Sequence, residues 1–192
     1  KTGSGKISLM KTLYGDLPLQ VGEGSIVGFD LRKLKEKDIP FLRRKIGIVF
    51  QDFQLLNDRN VHENILFVLK ATGWKGMNQM DEKINEVLEK VDMKTKGFKM
   101  PYQLSGGEQQ RVAIARAIVN QPDIIIADEP TGNLDPIATY EVVQILKKIN
   151  DLGTTVIMTT HNKGVIDALE RRVITMDEGH IVRDDAEGKY VL

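Results

Sequence analysis

Two adjacent carboxylates follow a strongly apolar run of the chain. Asp128 and Glu129 come directly after residues 124–127, which read Ile-Ile-Ile-Ala. Nucleotide hydrolases place here one carboxylate that holds magnesium through water and a second that orients and deprotonates the attacking water. The pair therefore predicts a hydrolytic site in which Asp128 serves the metal and Glu129 is the catalytic base. Taken alone, it also fits a polar strand end before Pro130.

A glycine-rich segment near the first residue is suited to bind phosphate. Gly3-Ser4-Gly5-Lys6 resembles the end of the P-loop motif, in which backbone amides and a lysine contact phosphates. Ile7 stands where that motif has a magnesium-binding hydroxyl. Ser8 is turned about 100° further round a helix, so it does not replace that hydroxyl directly. Taken alone, the segment also fits a turn before a helix. The residues expected to bind the nucleotide here are Thr2, Gly3, Ser4, Gly5, Lys6, Ile7 and Ser8.

The segment Ser105-Gly106-Gly107-Glu108 has both a structural and a functional interpretation. Ser-x-x-Glu is a capping box that begins a helix, and we expect that cap to form. The cap does not explain two glycines in the first turn, where glycine destabilises the helix relative to alanine. Glycines there expose amides to an anion at the positive end of the helix dipole. We therefore interpret the glycines as functional.

A histidine follows the next predicted strand along the chain. His161 comes after residues 154–160, a β-branched run that we expect to form a buried strand. A lone histidine is more often structural than catalytic. His161 is a candidate because the carboxyl ends of neighbouring parallel strands converge, which would place it near Asp128 and Glu129 and the γ-phosphate.

Strand and helix patterns alternate along the chain. A strand is predicted at residues 46–50, which delivers Gln51 to a loop, and another at residues 124–127, directly before the acidic pair. Helices are expected at 105–119, 136–152 and 163–170, and an amphipathic helical block at 61–91. Short strands and turns are expected at 19–31, and a closing pair of strands at 172–176 and 180–183. This alternation predicts a doubly wound α/β fold with ligands at the strand carboxyl ends.

Composition excludes several classes of protein. The chain has 192 residues, enough for one domain with a core, and 27 basic residues balance 27 acidic ones. No net positive charge draws it to nucleic acid. It has no cysteine, so disulfides and thiolate metal sites are excluded. No apolar run approaches the roughly 20 residues of a membrane-spanning helix.

The complete motif Leu104-Ser105-Gly106-Gly107-Glu108-Gln109-Gln110-Arg111 resembles the signature of the ATP-binding subunits of ABC transporters, and the resemblance extends over essentially the whole chain. It implies a P-loop NTPase fold of the α/β class. A RecA-like parallel-sheet core would comprise residues 1–51 and 110–192. An inserted α-helical subdomain would comprise residues 52–109 and carry the signature at its end.

The resemblance also implies a role for each matching residue. In the family the signature contacts the γ-phosphate of ATP bound to the opposite subunit, which implies a homodimer. Asp128 and Glu129 match Walker B and its catalytic base, and His161 the switch histidine. Gln51 matches the Q-loop glutamine, which senses metal and γ-phosphate. Asn133-Leu134-Asp135 matches the D-loop, which ends in a nucleotide-binding aspartate. The implied cofactors are ATP and Mg²⁺, the latter near Gln51 and Asp128.

Within the family, residues 50–64 most resemble the cell-division members. Lipoprotein-release and macrolide-export members are the alternatives. The resemblance implies a peripheral subunit at the cytoplasmic face of the inner (plasma) membrane, held by an integral permease-type partner such as an FtsX-like protein. Residues 51–74 are the expected docking face. The strand leading into the P-loop and an adenine-stacking aromatic residue are expected to be missing from the chain.

Two other classes of function compete with a membrane-coupled ATPase. A nucleotide-dependent clamp with little turnover is suggested by Ile7, because the metal-binding hydroxyl is missing there. An ABC protein acting on DNA or ribosomes is disfavoured by the zero net charge.

Overall fold

The computed structural model describes residues 4–188. The helices in this range are α1 (Lys6–Leu13), α2 (Ile39–Arg44), α3 (Val61–Ala71), α4 (Met77–Lys90), α5 (Gly106–Ile118), α6 (Pro136–Asp151) and α7 (Lys163–Leu169). The strands are β1 (Ser25–Ile26), β2 (Phe29–Asp30), β3 (Ile46–Val49), β4 (Ile124–Asp128), β5 (Thr155–Thr159), β6 (Val173–Asp177) and β7 (His180–Asp185). Short 3-10 turns occur at Glu36–Asp38, Lys94–Lys96 and Pro101–Gln103.

A parallel three-stranded sheet in the order β3-β4-β5 forms the centre of the fold. Ile46 pairs with Ile124, and Ile124 pairs with Thr155, so the three strands begin level with one another. Parallel strands need long crossover connections, and here α5 and α6 are among the elements that supply them. The predicted α/β alternation is therefore confirmed.

The two faces of the sheet pack against different helices. Ile125 and Ala127 are fully buried among α3, α4, α5 and α6. Ile126, between them, points to the opposite face and packs with Met10 of α1 and Leu42 of α2. This alternation follows from the two-residue period of a strand and explains why the run of isoleucines is apolar at every position.

The other β elements are two antiparallel hairpins. The predicted region of short strands at 19–31 contains the small hairpin of β1 and β2, and the predicted closing pair is β6 and β7. The prediction that residues 154–160 form a buried strand is wrong in part. β5 forms an edge of the described sheet, so Thr155 is exposed and residues 156–158 are only half-buried.

The block between β3 and α5 is helical, as predicted. Asn60 caps α3 by accepting the backbone N–H of Glu63, whose side chain in turn accepts the N–H of Asn60. The buried face of α4 consists of Met80, Ile84, Val87 and Leu88. Across residues 4–188, no helix combines the length and the apolar character needed to cross a membrane.

Helix α5 lies directly against β3. A Cβ atom built on Gly47 would come within 2.6 Å of the Ala117 carbonyl oxygen and 3.2 Å of Pro122 Cγ. A backbone carbonyl cannot move aside as a flexible side chain can. Gly47 is therefore required for the close approach of α5 to the strand.

We expect Gly47→Ala to lower the free energy of unfolding by about 1–3 kcal/mol, because the added methyl group overlaps backbone atoms. Urea unfolding followed by circular dichroism measures this. Gly24→Ala is the matched control, since its Cβ would meet only Leu19 and Leu31 side chains at ordinary contact distances of 3.4 and 3.5 Å. Equal stability of both variants would show that the approach of α5 tolerates a side chain.

Candidate active site

The central sheet brings three of the predicted residues to one edge. Val49 of β3 is level with Ala127 of β4, and Asp128 is level with Thr159 of β5. Gln51 and His161 each follow within two residues of their strand. Parallel strands therefore deliver Gln51, Asp128 and His161 to the same edge of the sheet, where α/β folds bind ligands.

Thr159 organises the acidic pair. Its hydroxyl donates a hydrogen bond to Asp128 Oδ1 at 2.7 Å and accepts one from the Glu129 backbone N–H at 3.0 Å. Thr159 is buried, so water competes weakly for these bonds. One hydroxyl thus fixes the orientation of Asp128 and the position of the Glu129 backbone.

Glu129 and His161 face each other. His161 Nδ1 lies 3.0 Å from Glu129 Oε1. The Glu129 side chain is 19% exposed, whereas that of His161 is 73% exposed. The carboxylate is thus sheltered, and the imidazole lies on its solvent side. A carboxylate in this setting can accept a proton from a water molecule while the histidine orients that water.

The backbone of Glu129 is strained. Its φ of 44° lies in the left-handed region, which non-glycine residues seldom adopt. Such a conformation costs of the order of 1–3 kcal/mol and persists where surrounding contacts hold it. The bond from Glu129 N–H to Thr159 is one such contact.

The glycine-rich segment forms the turn that begins α1. Gly5 has φ 90°, and among the described residues no side chain caps the helix N-terminus. The Lys6 ammonium donates to Ser4 Oγ at 2.8 Å. Ile7 is 59% exposed and Ser8 is also exposed. Uncapped amides and a nearby lysine are groups that can bind phosphate, while Thr2 and Gly3 lie outside the described residues.

The predicted capping box at the start of α5 forms. Ser105 Oγ accepts the backbone N–H of Glu108 at 3.3 Å, and Glu108 Oε2 accepts that of Ser105 at 2.8 Å. The other carboxylate oxygen of Glu108 pairs with the ammonium of Lys96. The hydrogen bond from Lys96, followed by that from Ser105, lowers the pKa of Glu108 below its ordinary value.

The two glycines of this turn differ. A Cβ on Gly107 would meet the Ala138 Cβ of α6 at 2.7 Å, so Gly107 is needed for helix packing. The approach of an anion is therefore not the only reason for a glycine at position 107. A Cβ on Gly106 would meet its neighbours at 3.5 Å or more. Packing does not require glycine at position 106, so its interpretation by close approach of an anion stays a prediction.

The loop after β3 is held by two other elements. Gln51 Nε2 donates to Asn133 Oδ1 at 3.2 Å, and Asn133 Nδ2 donates to the Gln51 carbonyl at 3.2 Å. Phe53 and Gln54 both have positive φ, 62° and 48°. The Arg116 guanidinium of α5 donates to both of their carbonyl oxygens. Burial lowers the pKa of Arg116 from its ordinary value.

Gln110 connects two of the loops. This side chain of α5 is fully buried, and its amide donates to the Phe50 carbonyl at 3.2 Å and the Pro130 carbonyl at 2.7 Å. Phe50 precedes Gln51, and Pro130 follows Glu129. One side chain of the signature helix therefore fixes the loops after β3 and β4 relative to each other.

Asp135 has a structural role within its own chain. Its Oδ1 accepts the backbone N–H groups of Ile137 and Ala138 at 2.9 and 3.0 Å and so caps α6. The predicted contact of Asp135 with nucleotide remains a prediction.

The donor set at the sheet edge fits magnesium. Within residues 4–188, no group of three or more His, Cys, Asp or Glu side chains is placed to hold a metal. Mg²⁺ does not need such a cage, because it usually takes one or two carboxylates together with phosphates and water. Asp128 supplies a carboxylate, and Gln51 an amide oxygen whose amide nitrogen already bonds Asn133.

Sequence reasoning missed four residues that organise this site, namely Lys96, Gln110, Arg116 and Thr159. Each acts through a bond to a residue distant in sequence, and no local spacing signals such a partner. For Gln110 a signal existed, because it shares a helix face with Ala113 and Ile114, and a polar residue on an apolar face calls for buried partners.

Comparison with known proteins places this geometry in a family. Residues 1–132 match the family model described as ABC transporter. The cell-division ATP-binding protein FtsE of Bacillus subtilis (strain 168) is 49% identical over 189 residues, which cover 98% of this chain and 82% of that protein. FtsE of Escherichia coli (strain K12) is 41% identical over 180 residues, covering 94% and 81% of the two chains.

Solved structures agree with the sequence relatives. The dimeric post-hydrolysis state of the ATP-binding cassette MJ0796 bound to ADP and Pi has a TM-score of 0.85 and 32% identity, covering 99% of this chain and 84% of that one. CbiO1 from Clostridium perfringens, part of the ABC transporter complex cbiONQ, has a TM-score of 0.86 and 29% identity, covering 97% and 74%. The P-loop NTPase fold is confirmed, and the chain belongs to the ATP-hydrolysing cassettes of the ABC transporter family.

Proposed function

We propose that this protein hydrolyses ATP as the FtsE-like subunit of a membrane complex that acts in cell division. The observation that carries the proposal is the pairing of Glu129 with His161 at 3.0 Å, beside Asp128 on the edge of a parallel sheet. The similarity to FtsE proteins supports the cell-division role over lipoprotein release or macrolide export.

Glu129 and His161 carry the chemical step. Glu129 takes a proton from the attacking water, and His161 holds the water and the γ-phosphate in line. Lys6 and the amides at the start of α1 bind the phosphates. Mg²⁺ near Asp128 and Gln51 would offset negative charge on the phosphates when it is bound.

The active unit is a dimer of two copies. The amides at Gly106 and the hydroxyl of Ser105 contact the γ-phosphate of ATP held by the second copy, so each ATP lies between two chains. The ordinary contact distances around Gly106 support this role, because glycine is not needed there for packing.

A membrane partner docks next to the loop after β3. A groove of ≈ 460 Å³ lies between α2, β3, α3 and α5, within and beside the predicted docking face at residues 51–74. Its lining combines cationic and apolar side chains, among them Arg44, Phe50 and Phe67. These suit an apolar segment with acidic residues from an FtsX-like integral membrane permease. The protein then lies peripherally at the cytoplasmic face of the plasma membrane.

A clamp with little turnover is the second candidate. Ile7 is the second residue of α1, the helix at whose start phosphate binds, and its exposed apolar side chain takes the place of a metal-binding hydroxyl. The missing ligand favours nucleotide binding without fast hydrolysis.

Glu129→Gln is expected to trap an ATP-bound dimer, because the amide keeps the shape of the side chain but cannot accept the proton. Size-exclusion chromatography with ATP and Mg²⁺ measures the dimer, and phosphate release should fall at least about 100-fold. Glu82→Gln, at an exposed position of α4, is the control and stays monomeric with normal turnover. A Glu129→Gln protein that stays monomeric contradicts the two-chain site.

Thr159→Val should lower kcat/KM for ATP about 10- to 100-fold, because the partner that orients Asp128 and bonds the Glu129 backbone is removed. We also expect half-maximal activity to need more Mg²⁺. Thr159→Ser keeps the hydroxyl and should restore most of the activity. Unchanged Mg²⁺ dependence in Thr159→Val would show that the hydroxyl serves folding alone.

Substitution of Ile7 distinguishes the ATPase from the clamp. An ATPase is expected to turn over with Ile7 present, and Ile7→Ser should change its rate by less than about tenfold, since Asp128 and the phosphates still hold the metal. Leu9→Ser, at another exposed apolar position of α1, controls for the added polarity. Phosphate release that appears only in the Ile7→Ser protein would favour the clamp.

A further inference from the structure

The start of α5 carries a carboxylate where a phosphate is to bind. Glu108 lies in the first turn and accepts the Ser105 N–H at 2.8 Å, so its charge lies in the same turn as the backbone amide of Gly106. A carboxylate at a helix N-terminus interacts favourably with the dipole and thereby competes with an incoming anion. It also repels that anion directly.

This charge is sheltered from water. The Glu108 side chain is 17% exposed, so solvent screens it less than a fully exposed group. The hydrogen bonds from Lys96 and Ser105 favour its ionised form and so lower its pKa. Without a partner, the turn would present net negative charge to the γ-phosphate.

Lys96 supplies the partner. It ends the 3-10 turn Lys94–Lys96, and its ammonium bonds the Glu108 oxygen that the Ser105 cap does not use. Arg111, the cation one turn further along α5, is engaged elsewhere, since it pairs with Glu141 at 2.6 Å.

We propose that Lys96 is a positioning residue of the signature, which neutralises Glu108 and so lets the turn at Ser105 and Gly106 accept the γ-phosphate of ATP bound to the second copy. The proposal rests on the two-chain site of the proposed function. It assigns to Lys96 an effect on nucleotide-dependent association and not on the chemical step.

The test compares Lys96→Met with Lys94→Met. Lys94 belongs to the same turn but pairs with Glu89 at 3.0 Å. Lys96→Met should raise the KM for ATP about tenfold, with kcat nearly unchanged, because an uncompensated charge opposes binding. In the Glu129→Gln background, it should raise the ATP concentration for half-maximal dimerisation by the same factor. Lys96→Arg should restore both values, and Lys94→Met should leave them unaltered.

A double variant distinguishes the effect of the Lys96 charge from that of holding the Glu108 side chain in place. Lys96→Met with Glu108→Gln removes both charges but keeps an amide that can cap Ser105, so the KM should return to within about twofold of the original value. Glu108→Gln alone leaves the Lys96 charge unopposed and should lower the KM. A double variant as impaired as Lys96→Met, or a KM that rises in Glu108→Gln, overturns the proposal.

Different results overturn the two-chain site and the role of Lys96. If Glu129→Gln does not dimerise with ATP and Mg²⁺, both the two-chain site and the role of Lys96 are overturned. If it dimerises at the same ATP concentration with and without Lys96→Met, only the role of Lys96 is overturned. Circular dichroism of each variant verifies folding, and Glu108→Gln still tests the proposal if Lys96→Met does not fold.

Discussion

The level pairing of three parallel strands is the constraint on which the site depends. Asp128 pairs with Thr159, and Val49 with Ala127, so the residues that follow each strand meet at one edge. A slip of one residue would turn Ile125 and Ala127 out of their packed face and Ile126 into it. The buried isoleucines therefore fix the register, and the register places the carboxylates beside the threonine hydroxyl and the histidine. Stability and catalysis share the same set of apolar contacts.

Two of the loops that leave this sheet contain strained residues. Glu129, Phe53 and Gln54 all have positive φ, at a cost of the order of 1–3 kcal/mol each. Each is held by a bond from another element: Thr159 to the Glu129 backbone, and Arg116 to the carbonyls of the other two. Loops held by a few bonds have discrete alternatives, because breaking those bonds releases the strain. This suits segments that must respond to the presence of a nucleotide.

Much of the fold was predictable because its signals are local. The apolar run at 124–127, the helical periods around it and the capping box at Ser105 each lie within a few residues, and the structure bears them out. What was not predictable depends on contacts across the chain. Arg116 bonds a carbonyl 63 residues away, and Thr159 bonds a backbone amide 30 residues away. The half-buried state of β5 depends on which strand lies beside it, and the need for glycine at position 107 depends on Ala138, which no spacing within α5 reveals.

In the two-chain arrangement proposed above, helix α5 belongs to two ATP sites at once. In that arrangement its first turn faces the nucleotide of the other copy, while Gln110 and Arg116 hold the loops that follow β3 and β4 in its own chain. A lesion in the middle of this helix would therefore damage one site through the loops and the other through the displaced first turn. In a cell that makes both normal and altered chains, a mixed dimer would contain no intact site. Alleles that alter α5 without preventing association should consequently be dominant in genetic crosses, whereas alleles that prevent association should be recessive.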